Sequence, residues 1–192
     1  MDHLAPIENS RFFADPYDMC SVLMEKLATH VQFAELETIV VLEKYGHFTL
    51  ELEKIALEQD GITIEELKAK TTILSINTVT TAHLKRSGWT VIRTAFEEDY
   101  INWLHEQDVK PDLFIANPPY QNEMREGGPG NNSSWSRLLT TLLKSKGGKE
   151  DDPCLGKDGY LVWVSPSSWR TPKREKGGVA NHCISQYISR LQ

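Results

Sequence analysis

The residues best equipped for chemistry are Asn117, Pro118, Pro119 and Tyr120, which follow Asp112-Leu113-Phe114-Ile115-Ala116 without a break. The apolar run reads as a buried strand, so the amide and the aromatic ring are delivered to the end of a sheet. Two successive prolines fix φ and remove two N–H donors, which stiffens the turn and leaves its carbonyls facing outward. Such a turn suits a planar group bearing an exocyclic amine. The Asn117 side-chain oxygen and the Pro118 carbonyl can accept its two N–H bonds, and Tyr120 can stack on its face. The bland alternative is a rigid turn with no chemical role; the apolar strand before it, opened by Asp112, makes the pattern specific.

The elements that must position this turn alternate along the chain. Asp15-Pro16 precedes apolar residues at 19, 22, 23, 24 and 27, the spacing of a helix with proline near its first turn. Residues 38–42 form a β-branched run that predicts a buried parallel strand, and Leu50, Leu52, Ile55, Ala56 and Leu57 predict a helix after it. A helical segment over 62–70, a strand over 72–76 and a helix over 79–86 repeat the pattern, and Gly88 ends that helix. Residues 90–93 read as a strand, a helix passes through Ile101, Trp103 and Leu104, and the strand over 112–116 follows. Residues 121–134 carry the glycine and asparagine chemistry of a loop, 136–144 a helix, and Gly159-Tyr160-Leu161-Val162-Trp163-Val164 a strand. Alternating strands and helices predict an α/β fold with a mainly parallel, doubly wound sheet, in which ligands sit at the carboxyl ends of the strands.

The bulk properties set outer bounds. The 192 residues suit one domain, with no room evident for a separate target-recognition domain. No apolar run approaches the roughly 20 residues of a membrane span. The opening Met1-Asp2-His3-Leu4 lacks the features of a signal peptide. Cys20, Cys154 and Cys183 are widely spaced and form no CxxC pair, which reads as reduced thiols in a cytoplasmic protein with no metal site. The net charge of −6 disfavours indiscriminate nucleic-acid binding but permits a local basic track, for which Arg170, Lys173, Arg174 and Lys176 are candidates.

Asp-Leu-Phe-Ile-Ala-Asn-Pro-Pro-Tyr-Gln over 112–121 resembles motif IV of the adenine-N6 DNA methyltransferases of the restriction–modification type. Other segments extend the resemblance in the family's order. Phe13-Ala14-Asp15-Pro16-Tyr17 is similar to the N-terminal cofactor motif F-x-x-P. The strand over 38–42 with Glu43, Gly46 and Phe48 takes the place of cofactor motif I, and residues 159–169 resemble the later strand ending in Pro-Ser-Ser-Trp. The resemblance implies a Rossmann-like class I methyltransferase fold and S-adenosyl-L-methionine as cofactor. It also implies a target adenine flipped from DNA, with its amine gripped by Asn117, Pro118, Pro119 and Tyr120. It further implies cofactor contacts from Phe13, Pro16, Glu43, Gly46, Phe48, Asn77 and Phe96.

The pattern departs from the family at three places. Lys44-Tyr45-Gly46-His47-Phe48 carries one glycine where the family offers two or more, Asn77 stands where an acid usually binds the ribose, and Ala95 falls where an aspartate precedes Phe96. Two further readings therefore stay open: a degenerate fold that binds nucleic acid or protein without turnover, and the same amine chemistry applied to RNA or a protein glutamine. A partner protein supplying target recognition is also compatible with the short stretch after Trp169.

Overall fold

The computed structural model describes residues 17–59, 61–75, 77–94, 97–108, 110–118, 138–139, 142–143, 154–156 and 158–164. Helix α1 (Tyr17–Ala28) and a short 3-10 turn (Phe33–Glu35) lead into strand β1 (Ile39–Glu43), every residue of which is buried. Helix α2 (His47–Glu58) then buries Phe48, Leu52, Ile55 and Ala56, a single stripe at helical spacing. Helix α3 (Ile64–Lys70) begins with a reciprocal cap in which the Thr63 hydroxyl accepts from the Glu66 N–H while the Glu66 carboxylate accepts from the Thr63 N–H. Strand β2 (Thr71–Ser75), helix α4 (Thr78–Arg86), strand β3 (Thr90–Arg93), helix α5 (Glu97–Glu106), strand β4 (Leu113–Ala116) and strand β5 (Tyr160–Trp163) follow. Gly88, at φ +87°, turns the chain out of α4 as the sequence predicts.

All neighbouring strands pair in parallel, in the order β3-β2-β1-β4-β5. Ile39 lies opposite Thr71 on one side and Leu113 on the other, and Leu42 lies opposite Leu74 and Ala116. Alternate residues of each strand feed two apolar clusters. One joins Ile39, Val41, Ile73 and Ile115 to residues of α1, α2, α3 and α4, among them Met24, Leu52, Leu67 and Leu84. The other joins Val40, Leu42, Leu74 and Phe114 to Tyr100, Ile101 and Leu104 of α5 and to Leu138, Leu142 and Leu155. Helical layers thus cover both faces of the sheet, which is why β4 and residues 39–42 of β1 form continuous apolar runs rather than alternating. Among the described residues the architecture is α/β with an all-parallel five-stranded sheet, compatible with a Rossmann-like fold.

The amino ends of the strands are locked by polar contacts. Asp112 Oδ2 accepts from the N–H groups of Glu37 (2.8 Å) and Thr38 (3.0 Å), and the Asp112 N–H donates to Thr38 O at 2.9 Å. On the other side of β4, the N–H of Tyr160 donates to Asp112 O at 2.7 Å and that of Gly156 to Pro111 O at 3.0 Å. The Lys70 ammonium donates to the carbonyls of Phe33, Ala34 and Leu36, so the turn before β1 is tied to the end of α3.

Most expected elements fall within a residue or two of their observed limits. The main shift is α2, expected around Leu50 but beginning at His47, because its first turn is capped from β1 as described below. Of the helix expected over 136–144, residues 138–139 and 142–143 are described, and they are helical. Cys20 and Cys154 are buried, and burial pushes the Cys154 thiol above its ordinary pKa. Among the described residues no helix is long and apolar enough to cross a membrane.

Candidate functional site

The strand order reverses between β1 and β4: the chain moves outward from β1 through β2 to β3, then returns to β4 on the opposite side of β1. In open parallel sheets this switch point creates a crevice at the carboxyl ends of the two strands, about 4.8 Å apart. Here those ends carry Glu43 on β1 and Asn117, immediately after β4.

Glu43 is 2 % exposed. Its Oε2 accepts from the backbone N–H groups of Phe48 (3.0 Å) and Thr49 (3.4 Å), and its Oε1 accepts from the Thr49 hydroxyl. Phe48 and Thr49 belong to the first turn of α2, whose N–H groups have no acceptor within the helix. The residue at the cap position is Gly46, which has no side chain to offer, so a carboxylate three residues upstream does the capping. Gly46 sits at φ +86° and ψ 11°, a left-handed conformation that lets the chain turn from β1 into α2 within three residues. Lys44, 3 % exposed, holds its ammonium 5.3 Å from the centre of the Tyr45 ring.

Asn117 is 6 % exposed, and its N–H donates to Leu42 O at 3.3 Å, extending the β1–β4 pairing beyond the strand. Among the described residues no group hydrogen-bonds its side-chain amide. Pro118 follows, also buried. On the other flank, the Thr94 N–H donates to Ser75 O at 3.0 Å, and the Thr94 hydroxyl is buried at the end of β3 with no hydrogen-bond partner among the described residues. A buried hydroxyl without a partner costs on the order of 1–3 kcal/mol.

Asn77 lies just beyond the end of β2, where the resemblance implies a ribose contact, and the structure gives its side chain a local task. Its Oδ1 accepts from Val79 N–H (2.9 Å) and Thr80 N–H (3.1 Å), capping α4. The Phe48 ring is wholly buried in the core cluster beneath α2, and its N–H reaches the strand-end region. A cleft of about 260 Å³ opens between α2 and α4, with Tyr45, Gly46, Leu50, Glu53, Val79 and His83 in its lining. It shares only Gly46 with the expected site residues.

The structure therefore brings Glu43, Gly46, Asn117 and Pro118 to one edge of the sheet, with Asn77 two strands away from Asn117. Phe13, Pro16, Phe96, Pro119, Tyr120, Arg170, Lys173, Arg174 and Lys176 lie outside the described residues. Thr49 and Thr94 were not singled out from sequence. Thr49 carried a usable signal, a threonine in the first turn of a helix whose cap is glycine; Thr94 carried none. Among the described residues no group of three or more His, Cys, Asp or Glu side chains is placed to hold a metal ion. The chain matches no protein-family model, and no curated protein or solved structure matches it.

Proposed function

We propose that this chain is a class I methyltransferase domain that transfers a methyl group to the exocyclic N6 of adenine in DNA. One observation carries the reading. Asn117-Pro118 stands at the end of β4 beside the end of β1, at the switch point of a parallel sheet, with a buried asparagine whose side-chain amide hydrogen-bonds to no described residue. A flipped base placed against it would find the Asn117 oxygen and the Pro118 carbonyl as acceptors for its amine. Accepting both N–H bonds keeps the nitrogen lone pair directed away from the ring and stabilises the positive charge that grows on nitrogen during attack.

S-adenosyl-L-methionine would supply an electrophilic methyl on a sulfonium. Two features of this edge fit such a group. The Gly46 turn presents backbone with no Cβ, and the Thr94 hydroxyl at the end of β3 is a buried polar atom with no partner among the described residues. Gly46 and Thr94, with Asn77, would line its binding place.

The test is Asn117→Ala, assayed for cofactor-dependent N6-methyladenine in DNA and, separately, for S-adenosylhomocysteine binding. The reading expects a fall of about 10²–10³ in rate with cofactor affinity kept within a few fold. Methylation by the variant at the wild-type rate would overturn it. A second reading, a fold that binds ligand without turnover, is favoured by Asn77: its oxygen is taken by α4, so the end of β2 offers no carboxylate to a ribose. Cofactor binding without methylation of DNA, RNA or a protein glutamine would select that reading.

A further inference from the structure

We infer that Glu43 is a built-in anion that closes the N-terminus of α2 to phosphate and so restricts the strand-end crevice to ligands that carry none. In doubly wound sheets the helix after the first strand usually offers its free N–H groups and positive dipole end to a phosphate. In this chain two of those groups are taken. The Phe48 and Thr49 N–H groups point at Glu43 Oε2, and the Thr49 hydroxyl points at Glu43 Oε1. Glu43 is buried, so its carboxylate cannot swing aside into water without rearrangement of the turn.

The arrangement works at two levels. A carboxylate at a helix N-terminus complements a dipole of roughly half a positive charge, which leaves little residual field to attract a second anion. A phosphate approaching the same turn would also meet a fixed negative charge within the crevice, where screening by water is weaker than in bulk. A nucleoside whose remaining charge is positive or zero meets neither obstacle. The exclusion rests only on the hydrogen bonds of this turn. The identity of the accepted ligand, a sulfonium nucleoside, rests on the methyltransferase reading above.

The experiment uses the full chain and follows the Phe48 and Thr49 amide resonances during titration with inorganic sulfate and with pyrophosphate, at constant ionic strength. The expected result is no saturable shift in the wild type. Glu43→Ala, checked for folding by circular dichroism, should gain saturable sulfate binding at these two amides at least tenfold tighter than any wild-type response. Saturable sulfate or pyrophosphate binding at Phe48 and Thr49 in the wild type would overturn the inference, and this arm holds even if the variant does not fold. A folded Glu43→Ala that gains no anion binding would also overturn it. S-adenosylhomocysteine is titrated in parallel. Its failure to bind would count against the methyltransferase reading alone, since the anion results do not depend on it.

Discussion

Asp112→Ala should destabilise the fold without touching the carboxyl edge of the sheet. Asp112 is the residue that makes the Asn-Pro-Pro-Tyr pattern specific in sequence, yet it lies at the amino end of β4, the far end of the strand from Asn117. A single oxygen, Oδ2, accepts from Glu37 N–H and Thr38 N–H and ties the entry of β1 to the entry of β4. Hydrogen bonds to a charged acceptor contribute about 1.5–3 kcal/mol when buried and less when exposed. The Glu37 bond is exposed and the Thr38 bond half-buried, so a total of about 2–3 kcal/mol is reasonable for alanine, which leaves both N–H groups without that acceptor. For a chain of this size that corresponds to a fall of roughly 4–12 °C in Tm. Asp112→Asn keeps one oxygen for both donors and loses only the charge, so about half the effect should remain. Urea denaturation followed by circular dichroism measures both, with S-adenosylhomocysteine affinity of the folded variants as control. A change below about 0.5 kcal/mol for alanine, or equal losses for alanine and asparagine, would refute this account of the clamp.

Two glycines should respond to alanine for different reasons. Gly159→Ala places a methyl 3.0 Å from Gly156 O and 3.1 Å from Pro111 O, backbone that cannot step aside, and should cost about 1–3 kcal/mol by denaturation. Gly46→Ala has room, its nearest neighbour being the Thr80 methyl at 3.6 Å, so only the left-handed φ is penalised, by about 1–2 kcal/mol. Glu66 provides a pH test. Hydrogen bonds from the Thr63 N–H and hydroxyl hold its carboxyl below the usual range, so its contribution is present above the unfolded pKa and is lost as pH falls through the folded one. The stability gap between wild type and Glu66→Gln, measured by denaturation across acid pH, should therefore close as the solution is acidified below about pH 4; a gap that stays constant would argue against a charge-dependent cap.

The strands were legible because both faces of the sheet are covered. Val40, Val41 and Leu42 had to be apolar whichever way each side chain points, and a continuous β-branched run is easy to see. The start of α2 was less legible because its cap is remote: the usual signal is a polar side chain at the cap position, and here that position is Gly46 while the carboxylate comes from Glu43. Asn77 shows the opposite case. Asn-Thr-Val-Thr is a plain helix-start signal, and a resemblance that assigns the position to ribose binding obscures it. Strand order was not written in any segment. Alternation predicts a parallel sheet, but only pairing β4 against β1 puts Asn117 next to Glu43.

The single glycine of the turn after β1 can be understood from the same contacts. Extra glycines in such a turn serve to bring bare backbone N–H groups close to a ligand. In this chain the groups that would be bared, the N–H of Phe48 and of Thr49, are already bonded to Glu43, so close approach to them gains a ligand nothing. What the turn still requires is one residue at positive φ to reverse direction from β1 into α2, and Gly46 supplies it. The neighbours are then free to carry side chains, and they do: Tyr45 and His47 hold their rings 6.0 Å apart, with the Lys44 ammonium near the Tyr45 ring. A ligand entering a crevice built this way would meet side chains around one backbone turn rather than a glycine-lined cradle. The thin motif is on this view a consequence of where the carboxylate sits, and it does not by itself weigh against ligand binding at the ends of β1 and β4.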